Sequence, residues 1–211
     1  ARLLRIFRTG NLIEQTNIEN MKKAGILKSE QGEIKYDYFN TEEMEELVGL
    51  PFIVGHYDAV VEKDGKEWLV EIKSINEKAF DKLPPEHGLK LAGDSPILNQ
   101  FPKYIHQINT YLGSDVDVLN GFLLFEAKNT QRQKIYFIKH DPDLLAKNLY
   151  KLQEAWDYGI NKEIPPIPEE FNPSDPKDKG CSWCDKRAIC PELSEGVVSL
   201  ADIKKKDAEL R

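Results

Sequence analysis

The sequence predicts a mixed α/β domain that is followed by a short Cys-rich appendage. Helical and strand-like segments succeed one another as helix, strands, helix, strands, helix, an order typical of a sheet covered by helices. Asp64-Gly65 stands between two β-rich runs, which is a strong signal for a hairpin. All three Cys residues fall within ten positions near the C-terminus. We therefore expect a core at 1–160 and a connector with a Cys module at 161–211, packed on the core.

Composition limits the classes of function. The chain has 211 residues, 40% of them hydrophobic and 31% charged, which is ordinary for a globular protein with one sizeable core. The formal net charge is −7. Proteins that coat nucleic acid need a basic excess, so this charge excludes indiscriminate coating of DNA. It leaves open an enzyme that grips a DNA strand through a few local contacts.

No segment predicts a membrane span. No apolar run approaches the roughly 20 residues that a transmembrane helix needs. The first residues are interrupted by Arg and are too few for a signal peptide. We expect a cytoplasmic protein without a membrane partner. Because the sequence does not begin with Met, we also expect further residues upstream.

Three helices are predicted from apolar periodicity and from their end signals. The first covers 10–24, and Gly25 is placed to end it in the left-handed conformation. The second covers 99–112, before Gly113. The third runs from Pro142 to about residue 158, since proline suits the first turn of a helix.

Strand-like runs fill most of the remaining core. A short helix is expected at 75–82, a mobile loop rich in Pro and Gly at 83–97, and an irregular connector at 162–180. The predicted strands are 32–39, 52–62, 66–73, 117–127 and 133–139.

The hairpin carries the residues with the clearest chemistry. Alternate side chains of a strand share a face, so Glu71 lies beside Lys73, while His56, Asp58 and Val60 share a face of the other strand. If these faces meet, two carboxylates and an ammonium group converge. Carboxylates suit hard cations such as Mg²⁺ or Mn²⁺. The alternative is a solvated strand face, with Asp58 as a polar edge residue.

Four motifs in this order resemble the PD-(D/E)XK nuclease superfamily, specifically its RecB/Cas4-like branch, and together they span roughly residues 8 to 140. Each motif alone is only weakly specific, but the ordered set is fairly specific. The motifs are Gly10-Asn11-Leu12-Ile13-Glu14, Gly55-His56-Tyr57-Asp58, Glu71-Ile72-Lys73 and Gln107-Ile108-Asn109-Thr110-Tyr111.

The resemblance implies a restriction-endonuclease-like core, in which helices flank a central mixed β-sheet. It implies a metal-dependent deoxyribonuclease, expected to act as an exonuclease in recombination, repair, phage replication or CRISPR adaptation. Asp58, Glu71 and Lys73 would be catalytic. Glu14, Asp58, Glu71 and the Ile72 carbonyl would hold Mg²⁺ or Mn²⁺. The rival is a catalytically silent, cluster-bearing DNA-binding or scaffold subunit with the same fold.

DNA is the expected partner, as strand ends of single-stranded or duplex DNA, with protein partners in a recombination or CRISPR complex. Gln107 and Tyr111 share a helix face, and by the resemblance they contact the substrate backbone or orient Lys73. Arg8 and Lys128 are further candidates for binding phosphate. The alternatives are a core role for Tyr111, a solvated Arg8 and a polar strand end at Lys128.

The Cys module predicts a metal site of its own. Cys181, Cys184 and Cys190 are too few and too closely spaced for a secreted disulfide framework, and their grouping favours metal or cluster ligation over three idle thiols. The spacing resembles the C-terminal cluster motif of Cas4-like and AddB-like nucleases, which implies a [4Fe–4S] cluster with a fourth Cys from the N-terminal side. No Cys precedes residue 181, so we expect the fourth ligand upstream. Zn²⁺ is the alternative.

Overall fold

The structure is a computed structural model, and it divides into two units, Ala1–Lys151 and Leu152–Arg211. Most of the first unit is described, and the second is described in part. The described residues are 2–36, 53–114, 116–161, 165–167, 169, 171–172, 175 and 177–182.

A six-stranded mixed sheet, flanked by helices, forms the centre of the first unit. Its strand order is β1-β4-β5-β7-β8-β6, in which β5 pairs parallel with β7, β6 pairs parallel with β8, and the other neighbours are antiparallel. Strands β2 and β3 form a separate antiparallel pair. The strands are β1 (Leu27–Glu30), β2 (Glu33–Tyr36), β3 (Ile53–His56), β4 (Ala59–Lys63), β5 (Lys66–Ile75), β6 (His87–Leu91), β7 (Asn120–Ala127) and β8 (Gln133–Lys139). The prediction of a mixed α/β fold is confirmed at this level.

Helices cover the two faces of the sheet. Ile13 and Ile18 of the first helix pack with Val70 on one face, and Ile105 and Ile108 of the third belong to the core on the other. Within the described residues, no helix is long and apolar enough to cross a membrane. The helices are α1 (Arg2–Lys23), α2 (Glu77–Asp81), α3 (Pro102–Leu112), α4 (Pro142–Asn161) and α5 (Lys179–Ser182).

The helix ends follow their local signals more closely than the helix starts. Gly25 has φ +71°, as predicted for the left-handed end of α1, but α1 begins at Arg2 and not near residue 10. α3 begins at Pro102 and not at 99, because Pro96–Asn99 forms a separate 3₁₀ turn. Proline at the first helical position then restarts the chain as an α-helix.

The predicted strand 52–62 is two strands. The strand is interrupted at Tyr57 and Asp58. As a result β3 pairs with β2 outside the main sheet, while β4 stays within it. Two backbone hydrogen bonds hold the break: the Gln31 N–H donates to the Asp58 carbonyl (3.0 Å), and the Tyr57 N–H donates to the Gly32 carbonyl (3.0 Å). Both partners come from the turn after β1, a four-residue edge strand that is not among the predicted strands.

The segment 83–97 was wrongly predicted to be a mobile loop. It contains the edge strand β6, which pairs with β8 from His87 onward, and Tyr136 Oη donates to the Pro84 carbonyl at 2.5 Å. Four of the five residues of β6 are exposed, so the strand lacks the polar and apolar alternation that identifies a half-buried strand. Pairing with β8 makes it a strand.

The turn between β4 and β5 confirms the hairpin. Asp64 and Gly65 have φ of +53° and +70°, and Lys63 pairs with Lys66 across them. Positive φ at both central residues defines a type I′ turn, whose twist matches that of the flanking strands. The two-residue turn sets the register of the hairpin, and with it the position of every side chain on β5 opposite β4.

Candidate functional site

The hairpin register places Asp58 opposite Glu71. Ala59 pairs with Val70 at the last rung between β4 and β5, and one further step along each strand reaches these two acids. Because the strand pairing stops there, the Ile72 N–H receives no backbone partner from β4. Asp58 Oδ2 accepts that N–H instead, at 2.6 Å, which fixes the Asp58 carboxylate against β5.

Glu71 is an acid in the interior. Its side chain is 2% exposed, and Oε1 accepts a hydrogen bond from Lys73 Nζ. Among the described residues, Glu71 Oε2 has no hydrogen-bond partner. Burial, reinforced by the negative charge of Asp58, raises the pKa of Glu71 to about 7, although Lys73 opposes the shift. Buried carboxylates are expensive unless they are paired, so Glu71 Oε2 is an acceptor that a cation could use.

Burial and neighbouring charges also shift the pKa values of Asp58 and Lys73. Burial raises the pKa of Asp58 to about 6, against the lowering effect of the Ile72 N–H, and the charge of Glu14 adds to the rise. Burial by itself lowers the pKa of Lys73, but the Glu71 carboxylate outweighs it and the net shift is upward. Lys73 therefore remains an ammonium ion between two acids.

Helix α1 brings Glu14 towards these acids. A Cβ on Gly10 would lie 3.2 Å from Ser74 Oγ, so glycine at this position permits a close approach between α1 and β5. The charge of Glu14 raises the pKa of both Asp58 and Glu71. Its Oε1 accepts a hydrogen bond from Gln31 Nε2 at 3.4 Å.

The donor set suits a hard divalent cation, although it is not a ready-made cage. In the described part of the chain, no three His, Cys, Asp or Glu side chains stand close enough together to surround a metal ion. The set expected to hold one includes a backbone oxygen: the N–H and C=O of a strand residue point to the same side, so the Ile72 carbonyl faces the Asp58 side of β5. Carboxylate and carbonyl oxygens, with the buried unpartnered Glu71 Oε2, fit Mg²⁺ or Mn²⁺.

Helix α3 brings Gln107 and Tyr111 to the same region. Gln107 Nε2 donates to Tyr111 Oη at 2.8 Å, and burial raises the pKa of Tyr111, with the charge of Glu71 acting in the same direction. A Cβ on Gly55 would lie 2.6 Å from Tyr111 Cε1, so only glycine fits there. The Gly-x-x-Asp pattern thus has a packing reason: its glycine lets the α3 tyrosine in beside the aspartate.

His56 does not join the acids, contrary to the prediction from strand alternation. Its side chain is 68% exposed, and its Nε2 lies 3.7 Å from Glu33 Oε2. Side-chain alternation puts His56, Asp58 and Val60 on one face only if they belong to one continuous strand. The break at Asp58 assigns His56 to the β2–β3 pair and removes it from the face that Asp58 shares with Glu71.

Arg8 and Lys128 lie away from the centre of the site. Arg8 is exposed on α1, roughly 9 Å along the helix axis from Glu14 at 1.5 Å per residue. Lys128 follows β7, and its N–H donates to the Ile75 carbonyl at 2.9 Å. It is five residues beyond Leu123, the register partner of Glu71, which is roughly 16 Å along a strand.

Sequence reasoning missed Gln31 and Tyr104. Gln31 touches Glu14 with its side chain and Asp58 with its backbone; its φ of +48° is unusual for glutamine, and nothing in the sequence signals it. Tyr104 lies beneath Lys73, with the ammonium 5.0 Å from the ring centroid. Its spacing of three and seven residues from Gln107 and Tyr111 places all three on one helix face. This spacing is visible in the sequence and could have predicted that Tyr104 lies at the site.

The Cys module falls mostly outside the described residues. Cys181 lies on α5, where its N–H donates to Asp178 Oδ1 at 2.8 Å. Cys184 and Cys190 lie outside the described residues. The cluster or zinc site therefore remains a prediction.

Comparison with known proteins finds no matching family model and no matching curated protein. Among solved structures, the chain is similar to one titled "Crystal structure of SSO0001", at 17% sequence identity and a TM-score of 0.46. The similarity covers 88% of this chain and 70% of that one.

Proposed function

We propose that this protein is a divalent-metal-dependent deoxyribonuclease with a PD-(D/E)XK-type site, as its four motifs suggest. The observation that supports this most directly is the buried Glu71, which has one oxygen on Lys73 and the other without a partner within the described residues. Most buried side-chain polar atoms have a hydrogen-bond partner, so an unpartnered oxygen on an acid beside Asp58 and Lys73 supports a role in binding a cation.

Asp58, Glu71, Glu14 and the Ile72 carbonyl are the groups that would hold Mg²⁺ or Mn²⁺. When bound, such an ion lowers the pKa of water and offsets the charge that develops on a phosphate. Asp58 is held ready by the Ile72 N–H at 2.6 Å, so little side-chain freedom remains to be lost. Preorganisation of this kind favours binding.

Lys73 supplies a positive charge at the site in addition to that of a bound metal ion. Its ammonium is largely buried, so it interacts with a developing oxyanion more strongly than a solvated lysine would. Gln107 and Tyr111 form one hydrogen-bonded pair on the helix above. They can donate to a phosphate oxygen or restrict where Lys73 reaches.

DNA would be held by few contacts, because the chain is acidic overall. Arg8 and Lys128 lie far enough from Glu71 to meet phosphates other than the one that is cut. Cleavage from strand ends in recombination, repair, phage replication or CRISPR adaptation belongs to the same proposal. So does a [4Fe–4S] cluster, or zinc, at the C-terminal Cys residues.

The direct test is cleavage of end-labelled single-stranded and duplex DNA with Mg²⁺, Mn²⁺ or EDTA. The wild type should cleave only with metal. Asp58→Asn should lose cleavage by about 10²-fold or more, because it removes a charged ligand while an amide can still accept from Ile72. Asp64→Asn is the matched control, since Asp64 lies exposed in the turn of the same hairpin and Asn suits its left-handed backbone.

Equal cleavage by Asp58→Asn and the wild type would contradict the proposal, as would cleavage in EDTA. A wild type without nuclease activity under all these conditions would favour a silent DNA-binding protein instead.

A second prediction concerns Glu14. Glu14→Gln should raise the Mg²⁺ or Mn²⁺ concentration that gives half-maximal rate, with a smaller change in the rate at saturating metal. The reason is that Glu14 adds negative charge next to Asp58 and Glu71 and can complete the ligand set. Glu19→Gln, an exposed change on the same helix, is the control. An unchanged metal titration would show that Glu14 serves only α1 and Gln31.

A further inference from the structure

The Tyr104 ring on α3 is the second neighbour of the Lys73 ammonium. Lys73 Nζ lies 5.0 Å from the ring centroid, within the roughly 6 Å over which an ammonium group is attracted to an aromatic face. The Lys73 side chain is only 19% exposed. Water therefore weakens this attraction less than it would at an open surface.

Its neighbours fix the Tyr104 ring. It stacks on Phe101, with centroids 5.6 Å apart and planes at 20°, and it meets Phe125 at 5.9 Å. Phe125 is fully buried, and it is also the register partner of Lys73 across the parallel strands β5 and β7. The Tyr104 ring therefore packs on Phe125, the residue that pairs with Lys73 in the sheet.

The other partner of Lys73 is the carboxylate expected to hold metal. Lys73 Nζ hydrogen-bonds to Glu71 Oε1, and a divalent cation on Glu71 competes with the ammonium for that negative charge. A lysine held by Glu71 alone would then lose its fixed position at the moment of cleavage. The Tyr104 face provides a contact that does not depend on the carboxylate.

We propose that Tyr104 is a positioning residue for Lys73, which holds the ammonium on its ring face when Glu71 binds metal. The inference rests on the proposed function, since it assigns a reason for the lysine to be held. It requires the aromatic face and not the phenol oxygen. Phenylalanine should therefore replace Tyr104, and an aliphatic residue of similar size should not.

Lys103 offers a way to separate positioning from DNA binding. Its Nζ lies 4.8 Å from the centroid of the same ring, but its side chain is exposed at the start of α3. If the ring matters because it supports a lysine that binds DNA, Lys103→Gln should reproduce the effect of losing the ring. If the ring serves Lys73, Lys103→Gln should leave kcat unchanged.

The kinetic test compares Tyr104→Phe, Tyr104→Leu and Lys103→Gln with the wild type on end-labelled DNA. Tyr104→Leu should lower kcat about tenfold, with KM and the metal concentration for half-maximal rate little changed. Tyr104→Phe should restore kcat. Phe137→Leu is the control, because it removes a part-buried ring that packs against Trp68 on the opposite face of the sheet.

A second readout does not depend on activity. Lysines labelled by reductive ¹³C-methylation can be followed by NMR, and the Lys73 signal can be assigned with Lys73→Arg. Its methyl signal should be shifted by the ring current of Tyr104, with and without Mg²⁺; Tyr104→Phe should keep this shift and Tyr104→Leu should abolish it. A signal that is unshifted in the wild type, or a kcat that Tyr104→Leu leaves unchanged, would overturn the role of Tyr104. A shifted signal in a protein that cuts no DNA would overturn the nuclease proposal alone.

Discussion

Glu71→Gln is expected to abolish metal-dependent cleavage. It is also expected to reduce the loss in unfolding free energy that the wild type shows as the pH rises. Cleavage is lost because the central acid no longer binds a cation. Stability changes because Glu71 is 2% exposed and its pKa is raised to about 7. An ionised carboxylate in that position is tolerated for function and works against folding.

The sign follows from proton binding. Between the ordinary pKa of an unfolded glutamate, 4.5, and the folded value of about 7, the native protein holds a proton that the unfolded chain has released. Stability therefore falls as pH rises through this window and levels off above it. Two and a half pH units correspond to about 3 kcal/mol. Glu71→Gln removes the titrating group, so its stability should fall less over the same range.

The measurement is urea unfolding at pH 5 and pH 8 in EDTA, for the wild type and for Glu71→Gln. The difference in unfolding free energy between the two pH values should be smaller in the variant by about 2.5 kcal/mol. Glu62→Gln, an exposed change on β4, should behave like the wild type. Mg²⁺ or Mn²⁺ at pH 8 should stabilise the wild type more than Glu71→Gln. If the unfolding free energies of the wild type and Glu71→Gln change equally between pH 5 and pH 8, folding does not raise the pKa of Glu71.

Lys73→Met is expected to lower kcat by about 10²-fold or more while leaving DNA binding largely intact. Met keeps the unbranched apolar stem of the side chain as far as Cε and removes the ammonium group, with its charge and its hydrogen bond to Glu71. That charge lies in a mostly buried position beside Asp58 and Glu71, where few other groups can replace it. The loss should therefore appear in the chemical step.

Single-turnover cleavage and DNA binding in Ca²⁺ would separate these effects. Lys66→Met, an exposed lysine at the start of β5, is the matched control and should retain the wild-type rate. Lys73→Arg tests shape as well as charge, because a planar guanidinium cannot occupy the same place as a compact ammonium group. Lys73→Met with full activity would remove Lys73 from the proposed machinery.

The sequence by itself determined the parts of the site that depend on local geometry. An Asp-Gly turn permits only a short hairpin with a defined twist, and strand alternation then places Glu71 and Lys73 on one face. The same reasoning correctly ended α1 at Gly25 and paired Gln107 with Tyr111 on a helix. In each case the deciding interaction lies within a few residues along the chain.

Only the tertiary structure decided what surrounds those residues. Backbone hydrogen bonds to Gln31 and Gly32 interrupt the strand at Tyr57 and Asp58, and His56 then lies in the β2–β3 pair. The sequence of 52–62 does not predict this interruption. Burial of Glu71, the closeness of Gly55 to Tyr111 and the ring beneath Lys73 each join segments that are distant in the chain. Burial and the charges of such neighbours set the pKa of an acid, so the sequence could identify Glu71 but could not reveal its raised pKa or its unpartnered oxygen.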